Sequence, residues 1–378
     1  MRGNKILRCL DFLFGSAFIF LLGLFTNKNN TSPQNPKKVL IIKLSAIGDT
    51  ILLYPALRSL RQKFNNSKII FLGTQINKEA IETCPFIDEF VELNLKSGLL
   101  SLLAFIVKLR KEKIELSIDF EQWTRLTPII SYLSEIKNRA GFITLGQHRH
   151  HLFTQPLLHK ENIHEVDCFN ELASSLGASN LNTRLEFFIK PDSILKAKQL
   201  LSTFGIKETD TFVILHPETP LHGIQRRWPV ENYAALANKI SDNLDIKVIV
   251  SYKVQNTSII NVFKDTKCKC MFLPTLSLNE IAAVIKHTSL VICGNTGLMH
   301  LACALHTPII ALHGPTNPLK WGPIGNNVLT LKSKLDCSPC LSLGFEYGCK
   351  RDDCMRSISV TEVFEFVKLT LQKMSIRT

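Results

Sequence analysis

Short apolar runs alternate along the chain with polar loops and with segments of helical periodicity. The first clear run is Val-Leu-Ile-Ile at 39–42, between lysines. Such a run is typical of a parallel strand that is buried on both faces. Residues 50–64 follow with apolar positions at helical spacing, and 68–72 form the next apolar run. The pattern predicts a β-α-β unit.

The alternation continues to about residue 177 and then returns in the second half. A strand is predicted at 116–120, and it ends in the polar cluster Asp119, Glu121 and Gln122. Further strands are predicted at 212–215, 248–251, 290–293 and 309–312, with helices at 229–244, 278–286 and 298–305. A capping box at 277–280 and Pro229 mark two of the helix starts.

The predicted fold class is therefore α/β, with two Rossmann-like, doubly wound parallel-sheet domains. A chain of 378 residues also exceeds the usual size of a single core. We predict four segments: an N-terminal segment and linker at 1–36, domains at 37–190 and 191–360, and a C-terminal helix at 361–378, which could pack across the first domain. Ligands bind such sheets at the carboxyl ends of the strands, so a cleft between the domains is the expected site.

The N-terminus carries an apolar stretch at 12–25, with Arg2, Lys5 and Arg8 upstream. No small-residue cleavage site follows it, which argues against a removed signal peptide. We expect residues 6–25 to lie as a helix in the cytosolic leaflet of the membrane. A single membrane-spanning anchor is the alternative. It is the second choice because the apolar stretch is shorter than a spanning helix needs.

Net charge and cysteine content indicate the kind of partner and the redox environment of the protein. The net charge of +13 favours an anionic partner, although scattered lysines also serve solubility. Seven of the eleven cysteines show no framework spacing, which indicates a reducing cytosol. The other four lie close together at Cys337, Cys340, Cys349 and Cys354. They could hold a structural zinc ion or be ordinary packed thiols, and the spacing leaves both interpretations open.

The loop after the first strand combines a cation, a tight turn and a carboxylate. It reads Lys43-Leu-Ser45-Ala-Ile-Gly48-Asp49. Gly48 permits the turn, and Asp49 opens a helix. Asp49 is either a helix N-cap or a general base that faces the expected cleft.

Two loops of the second half are suited to anions. Arg226 and Arg227 precede a helix start, and arginine forks bind phosphate at two points. Residues 294–300 join a buried strand to a helix and present backbone N–H groups, which is an anion site in physical terms. His300 lies one turn inside that helix and could instead be a packed, neutral residue.

In these three loops the chain resembles a known family. The matching stretches are KVLIIKLSAIGDTILLYPALRSLR at 38–61, VILHPETP and RRWPVENYAALA within 213–237, and LSLNEIAAVIKHTSLVICGNTGLMHLACALHTPIIALHGPTNPLKWGP at 276–323. They resemble the ADP-heptose:lipopolysaccharide heptosyltransferases, glycosyltransferase family 9, and in particular the heptosyltransferase II-like branch. The resemblance runs from Lys38 to about Val363.

The resemblance implies a GT-B architecture and an inverting transfer of heptose, or a related sugar, without metal or cofactor. The first domain would bind a lipid-linked saccharide at the cytoplasmic face of the bacterial inner membrane, and the second an ADP-sugar. Asp49 would be the catalytic base, and Lys43, Ser45 and Gly48 would form the acceptor-side loop. The implied donor-binding residues are Arg226, Arg227, Asn295, Thr296, Gly297, Leu298 and His300. Asn295 departs from the usual aspartate, which leaves the sugar open.

Other classes of protein fit less well. Nucleotide-sugar epimerases share the two-domain architecture, so isomerisation stays an alternative. A nucleic-acid-binding protein would be expected to interleave aromatic and basic residues, and these loops do not. The first β-α turn also lacks the glycine fingerprint of nicotinamide enzymes.

Residues 147–151, which include Arg149 and three histidines, are either contacts for an acidic saccharide or solvated surface.

Overall fold

The computed structural model describes residues 5–26, 33–219, 221–252, 257–341, 349 and 351–375. The chain divides into two compact units, Met1–Thr183 and Arg184–Thr378. Each unit contains one six-stranded parallel sheet with helices around it.

The first unit holds the strands β1 Lys38–Ile42, β2 Lys68–Gly73, β3 Glu89–Glu92, β4 Leu116–Asp119, β5 Asn138–Ile143 and β6 Gln155–Leu158. Its helices are α1 Lys5–Gly23, α2 Ile47–Leu52, α3 Tyr54–Lys63, α4 Gln75–Ile81, α5 Gly98–Lys111, α6 Leu126–Leu133 and α7 Glu165–Ser175, with a short 3₁₀ helix at Arg149–Leu152.

The second unit holds the strands β7 Phe212–His216, β8 Lys247–Val250, β9 Met271–Phe272, β10 Leu290–Gly294, β11 Ile309–His313 and β12 Val328–Lys332. Its helices are α8 Pro191–Thr203, α9 Val230–Leu244, α10 Thr257–Lys264, α11 Leu278–His287, α12 Gly297–Ala304, α13 Pro318–Trp321, α14 Asp353–Arg356 and α15 Val360–Ser375, with a 3₁₀ helix at Leu221–Arg226.

The two sheets share one topology. The strand order is β3-β2-β1-β4-β5-β6 in the first unit and β12-β11-β10-β7-β8-β9 in the second. Numbered within its own unit, each sheet has the order 3-2-1-4-5-6 of a doubly wound Rossmann-like sheet. The order reverses between β1 and β4 in one unit and between β7 and β10 in the other. Those two switch points are where such sheets bind ligands.

The central strands are apolar because both of their faces are covered. Residues 39–42 of β1 and 290–293 of β10 are fully buried. The predicted strands are confirmed within one or two residues at their ends. Ser277 and Glu280 form the predicted capping box at the start of α11.

The predicted helix at 50–64 is divided into α2 and α3 at Leu53. Pro55 lies in the first turn of α3. It has no N–H with which to continue the hydrogen-bond ladder of the preceding helix, so a new helix begins there.

The C-terminal helix α15 packs on the second unit's own core. Its side chains Val363, Phe364 and Val367 are buried in the apolar cluster that also contains Trp228 and Tyr233. The expectation that the helix also reaches across the first domain stays a prediction.

Candidate functional site

The switch point of the first unit collects the polar residues that follow β1 and β4. The strands pair in parallel, with Ile42 opposite Asp119. Lys43 therefore lies beside Glu121 and Gln122. All three are at least 98% buried, which is unusual for such polar side chains.

Asp49 occupies the first turn of α2 and contacts Lys43. The Lys43 Nζ atom lies 3.3 Å from Asp49 Oδ2 and 3.6 Å from Glu121 Oε1. It donates a hydrogen bond of 2.9 Å to Gln122 Oε1. The N-cap of α2 is Ala46. The interpretation of Asp49 as an N-cap is therefore wrong, and the carboxylate belongs to the polar cluster.

Glu121 holds the backbone of the acceptor-side loop. Its Oε1 atom accepts hydrogen bonds from the amides of Leu44, at 2.8 Å, and Ser45, at 3.2 Å. Gly48 is buried and Ser45 is partly buried. The sequence showed Glu121 as part of a polar cluster but did not indicate this supporting role.

Arg149 is the one residue of 147–151 for which the structure overturns the expectation of a saccharide contact or solvated surface. Its side chain is fully buried and its Nη2 atom forms an ion pair of 2.7 Å with Asp119 Oδ2. It also donates hydrogen bonds to the carbonyl oxygens of Glu121 and Thr124. Burial raises the pKa of Asp119, and the Arg149 charge opposes that rise. Arg149 thus supports the loop that follows β4.

The N-terminal helix α1 is attached to the same loop. Asp11 accepts hydrogen bonds from the amides of Arg125 and Leu126 at the start of α6, at 3.0 and 3.3 Å. The Arg125 guanidinium pairs with Asp11 at 3.4 Å. A Cβ at Gly15 would lie 2.9 Å from the Arg125 Cβ atom, so glycine permits this close approach. The helix is thus an integral part of the first unit.

The outward side of α1 is apolar. Phe12, Leu13, Phe14, Phe18 and Leu21 are each more than half exposed. Among the described residues, no helix combines the length and hydropathy that crossing a bilayer requires. The spanning anchor that the sequence left as an alternative is therefore not found in that part of the chain.

In the second unit, Arg226 lies at the switch point between β7 and β10. Its guanidinium packs directly over Gly223, where an added Cβ would collide with it. An ideal Cβ on Gly294, at the end of β10, would be 3.5 Å from the Arg226 carbonyl oxygen. The predicted arginine and glycine loops therefore meet. Gly223 is a site residue that the sequence did not reveal.

A buried tryptophan fixes the arginine loop. Trp228 Nε1 donates to the Ile358 carbonyl oxygen at 2.9 Å, and its ring meets Tyr233 edge to face at 4.7 Å. Arg227 Nε lies 3.3 Å from Thr219 Oγ1. The buried Trp228 thus fixes the backbone next to both arginines. Arg226 lies over Gly223, and Arg227 points toward Thr219.

The loop between β10 and α12 has the predicted geometry of an anion site. Thr296 is the extended N-cap residue of α12, and its side chain makes no capping hydrogen bond. Asn295 Nδ2 donates to the Trp321 carbonyl oxygen at 3.1 Å. Gly297 and Leu298 form the first turn, and His300 is nearly buried one turn further on. A helix N-terminus of this kind attracts phosphate.

Two groups of residues are candidates for a metal site, one that the structure brings together and one that the sequence predicted. Among the described residues, His159, Glu165 and Cys168 bring ligand atoms within 4.8 Å of one another. The Glu165 carboxylate, however, already accepts hydrogen bonds from Gln122 and His159. Hydrogen bonding therefore accounts for this group without a metal.

The C-terminal cysteines form the other group. Cys337, Cys340 and Cys349 are exposed, and Cys354 is buried. Burial raises the pKa of Cys354 to about 11, and the neighbouring three thiols add to the rise. Among the described residues, the four sulfur atoms are not a group with ligand atoms within 4.8 Å of one another, so the zinc interpretation stays a prediction.

Two Rossmann-like units with polar sites at their switch points are the components of the GT-B architecture. Residues 103–350 match the model of glycosyltransferase family 9 (heptosyltransferase). The chain belongs to that family and is an enzyme of the glycosyl-transferring class.

Individual relatives agree with the family. The chain is 23% identical over 342 residues to lipooligosaccharide heptosyltransferase 2 of Campylobacter jejuni, covering 89% of this chain and 98% of the relative. A glycosyltransferase family 9 structure from Veillonella parvula superposes with a TM-score of 0.77 at 20% identity, covering 90% of this chain and 98% of the other. The E. coli heptosyltransferase WaaC with ADP-2-deoxy-2-fluoro heptose gives 0.66 at 18% identity, with 88% and 99% covered.

Proposed function

We propose that this enzyme transfers a heptose, or a related sugar, from an ADP-sugar to a lipopolysaccharide core or another lipid-linked glycan. Two similarities support the choice of substrates. The Campylobacter jejuni relative is named a lipooligosaccharide heptosyltransferase, and the E. coli structure holds an ADP-heptose analogue. Asn295, in place of the aspartate of many relatives, makes the sugar itself the most open part of the proposal.

Asp49 is the proposed catalytic base, and its position at the switch point of the first unit carries the proposal. It is nearly buried beside Lys43, at the edge of the sheet where such folds bind ligands. A carboxylate held in this way can accept a proton from an acceptor hydroxyl. Lys43, Ser45 and Gly48 shape the loop that carries it.

The second unit is proposed to hold the donor diphosphate. Arg226 and Arg227 supply cationic forks, and the first turn of α12 supplies backbone N–H groups from Gly297 and Leu298. Asn295, Thr296 and His300 complete the donor side. These groups would stabilise the negative charge that develops on the leaving ADP.

The transfer is a single displacement with inversion. Asp49 takes the proton of the acceptor hydroxyl while that oxygen forms a bond to the anomeric carbon. The bond from that carbon to the diphosphate oxygen breaks on the opposite face, and its electron pair leaves with ADP. The reaction needs no metal or redox cofactor for its atoms to balance.

We further propose that α1 rests on the cytoplasmic face of the inner membrane, where a lipid-linked acceptor is found. Its apolar side chains Phe12, Leu13, Phe14, Phe18 and Leu21 point away from the unit to which Asp11 attaches the helix. A helix with this character buries its apolar side at the lipid interface. The net charge of +13 adds attraction to anionic lipid.

Transfer from ADP-heptose to an acceptor prepared from a heptose-deficient envelope tests the activity. Asp49→Asn should lower kcat by ~10²–10⁴ because it removes the base while keeping the shape of the side chain. Circular dichroism and the unfolding midpoint serve as the folding control. Near-normal transfer by Asp49→Asn would overturn the assignment of the base. Conversion of the ADP-sugar without any acceptor would instead favour an epimerase.

Vesicle flotation tests the membrane proposal. Phe14→Asp with Phe18→Asp should reduce binding to vesicles that contain phosphatidylglycerol, because charge is costly in the apolar layer. Leu195→Asp is the matched control, since Leu195 is 60% exposed on α8 in the second unit. Equal binding by both variants would contradict the role of α1.

A further inference from the structure

A series of buried, hydrogen-bonded polar side chains extends from Lys43. Gln122 Nε2 donates a hydrogen bond to Glu165 Oε1. The same carboxylate lies 3.0 Å from His159 Nε2. Gln122, Glu165 and His159 are all at least 95% buried. Buried polar groups are costly unless they are paired, and the family reaction itself does not need these three.

The chemistry of its members fixes the orientation of each link. An ammonium group only donates hydrogen bonds, so the Gln122 oxygen must face Lys43. An ionised carboxylate only accepts, so the Gln122 amide nitrogen must face Glu165. Rotating the amide by half a turn would set donor against donor and acceptor against acceptor. Gln122 therefore has one permitted orientation.

His159 fixes the far end of this series. Its Nε2 atom faces the Glu165 carboxylate, which requires the proton on that nitrogen. Its ring also meets Phe142 at 5.0 Å. The His159 Nδ1 atom has no hydrogen-bond partner within the described ranges, which agrees with the tautomer that carries its proton on Nε2. The ring thus holds the Glu165 carboxylate in place.

Lys43, at the other end of this series of polar side chains, is also held by its contacts. The Lys43 Nζ atom donates a hydrogen bond of 2.9 Å to Gln122 Oε1 and forms ion pairs with Asp49 at 3.3 Å and Glu121 at 3.6 Å. Phe169 covers the ammonium group at 5.8 Å from the ring centroid. Turning the Lys43 ammonium group away would break its hydrogen bond to Gln122 and both ion pairs.

We propose that Gln122 is a positioning residue for the catalytic base. Backed by Glu165 and His159, it fixes the Lys43 ammonium, and Lys43 fixes the Asp49 carboxylate where it must meet the acceptor hydroxyl. This inference rests on the proposed role of Asp49. A displacement of about 1 Å in a reacting group can cost a large factor in rate, so a residue that never touches substrate can control turnover.

Kinetics of Gln122→Met give the first test. Methionine keeps the length and volume of the side chain but can neither accept from Lys43 nor donate to Glu165. We expect kcat to fall roughly tenfold through loss of alignment, while KM for the ADP-sugar is unchanged because the donor residues lie in the second unit. Wild-type kcat with normal folding would overturn the proposal.

A matched control separates positioning from general loss of stability. Arg139→Met also replaces a buried, hydrogen-bonding side chain of the first unit with methionine. Arg139 donates to the carbonyl oxygens of Ile136 and Leu152. This substitution should lower the unfolding midpoint and leave kcat unchanged. An equal fall of kcat in Arg139→Met and Gln122→Met would show that stability alone explains the effect, and would sink the proposal.

A gentler variant covers the case in which Gln122→Met does not fold. Glu165→Gln keeps the shape of that side chain but leaves one acceptor oxygen where two face Gln122 and His159. The Gln122 amide is then held less firmly, while its oxygen still faces Lys43. Glu165→Gln should lower kcat by a smaller factor than Gln122→Met, again without a change in KM for the donor. A wild-type kcat in this variant would count against the chain of contacts.

An equilibrium experiment decides the coupling independently of activity. Urea unfolding of Asp49→Asn, Gln122→Met and the double variant forms a double-mutant cycle. Non-additive shifts in the unfolding free energy would support coupling through Lys43, and additive shifts would refute it. If Asp49→Asn retained transfer, the proposed role of Asp49 as the base would fail, while the cycle would still decide whether Gln122 acts on residue 49.

Discussion

The packing of Arg226 over Gly223 makes Gly223→Ala an informative change. The new methyl group would occupy the space of the guanidinium, which must then swing away. The backbone at Gly223 has a φ of −131°, a value that alanine adopts freely. The substitution should therefore move one side chain without disturbing the fold.

The size of the effect follows from what Arg226 is proposed to do. A hydrogen bond to a charged group contributes about 1.5–3 kcal/mol. Loss of one such contact should weaken ADP binding roughly 10- to 150-fold, which isothermal titration calorimetry measures directly. Gly141→Ala is the control, because a methyl group there crowds Phe153 in the first unit. It should leave ADP affinity unchanged.

A double variant identifies the cause. If the methyl group acts only by displacing the guanidinium, Gly223→Ala should have no further effect once Arg226→Met has removed it. The reasoning is refuted if Gly223→Ala weakens ADP binding equally in the wild type and in Arg226→Met. It is also refuted if the Gly223→Ala single variant binds ADP as tightly as the wild type.

Two more predictions concern stability. Arg125→Met leaves the Asp11 carboxylate buried without its cation, so α1 should detach at a cost of about 3 kcal/mol and become sensitive to limited proteolysis. Asp11→Asn leaves no buried anion, so it should destabilise the attachment of α1 less than Arg125→Met does. Equal protease resistance of the wild type and both variants would contradict this prediction. Burial lowers the pKa of His313 to about 4. Because the unfolded residue titrates near 6.5, the unfolded chain binds more protons between these values, and the free energy of unfolding should fall by up to about 3 kcal/mol as pH drops from 6.5 to 4. His313→Gln should flatten that dependence in urea titrations, and an unchanged slope would refute the assignment.

The hydrophobic pattern was sufficient to predict the fold because parallel strands that are buried on both faces leave an unambiguous signal. Residues 39–42 and 290–293 are such runs, and each ends in a loop that the structure places at a switch point. The same pattern located Asp49 and Arg226 at strand ends. It could not predict the break at Leu53 from apolar spacing alone, although Pro55 carried the signal.

Contacts between residues distant in sequence account for what the pattern did not predict. Arg149 looked like a surface residue because its neighbours are histidines and glutamine, yet it pairs with Asp119 thirty positions earlier. The link from Gln122 to Glu165 spans forty-three positions. Gly223 gave no signal because its importance comes from the side chain above it. Such pairings depend on how loops fold over a sheet, which periodicity does not record.

The shared strand order of the two sheets has a consequence for how this enzyme family diversifies. Each half carries its own binding edge, built from loops that do not belong to the other half's sheet. With the proposed division of donor and acceptor between the halves, substitutions that retune recognition of one ligand can accumulate in one half while the loops of the other stay as they are. New acceptor preferences can then arise on an unchanged donor site, and Asn295, in the proposed donor loop, is where the reverse kind of change would be sought.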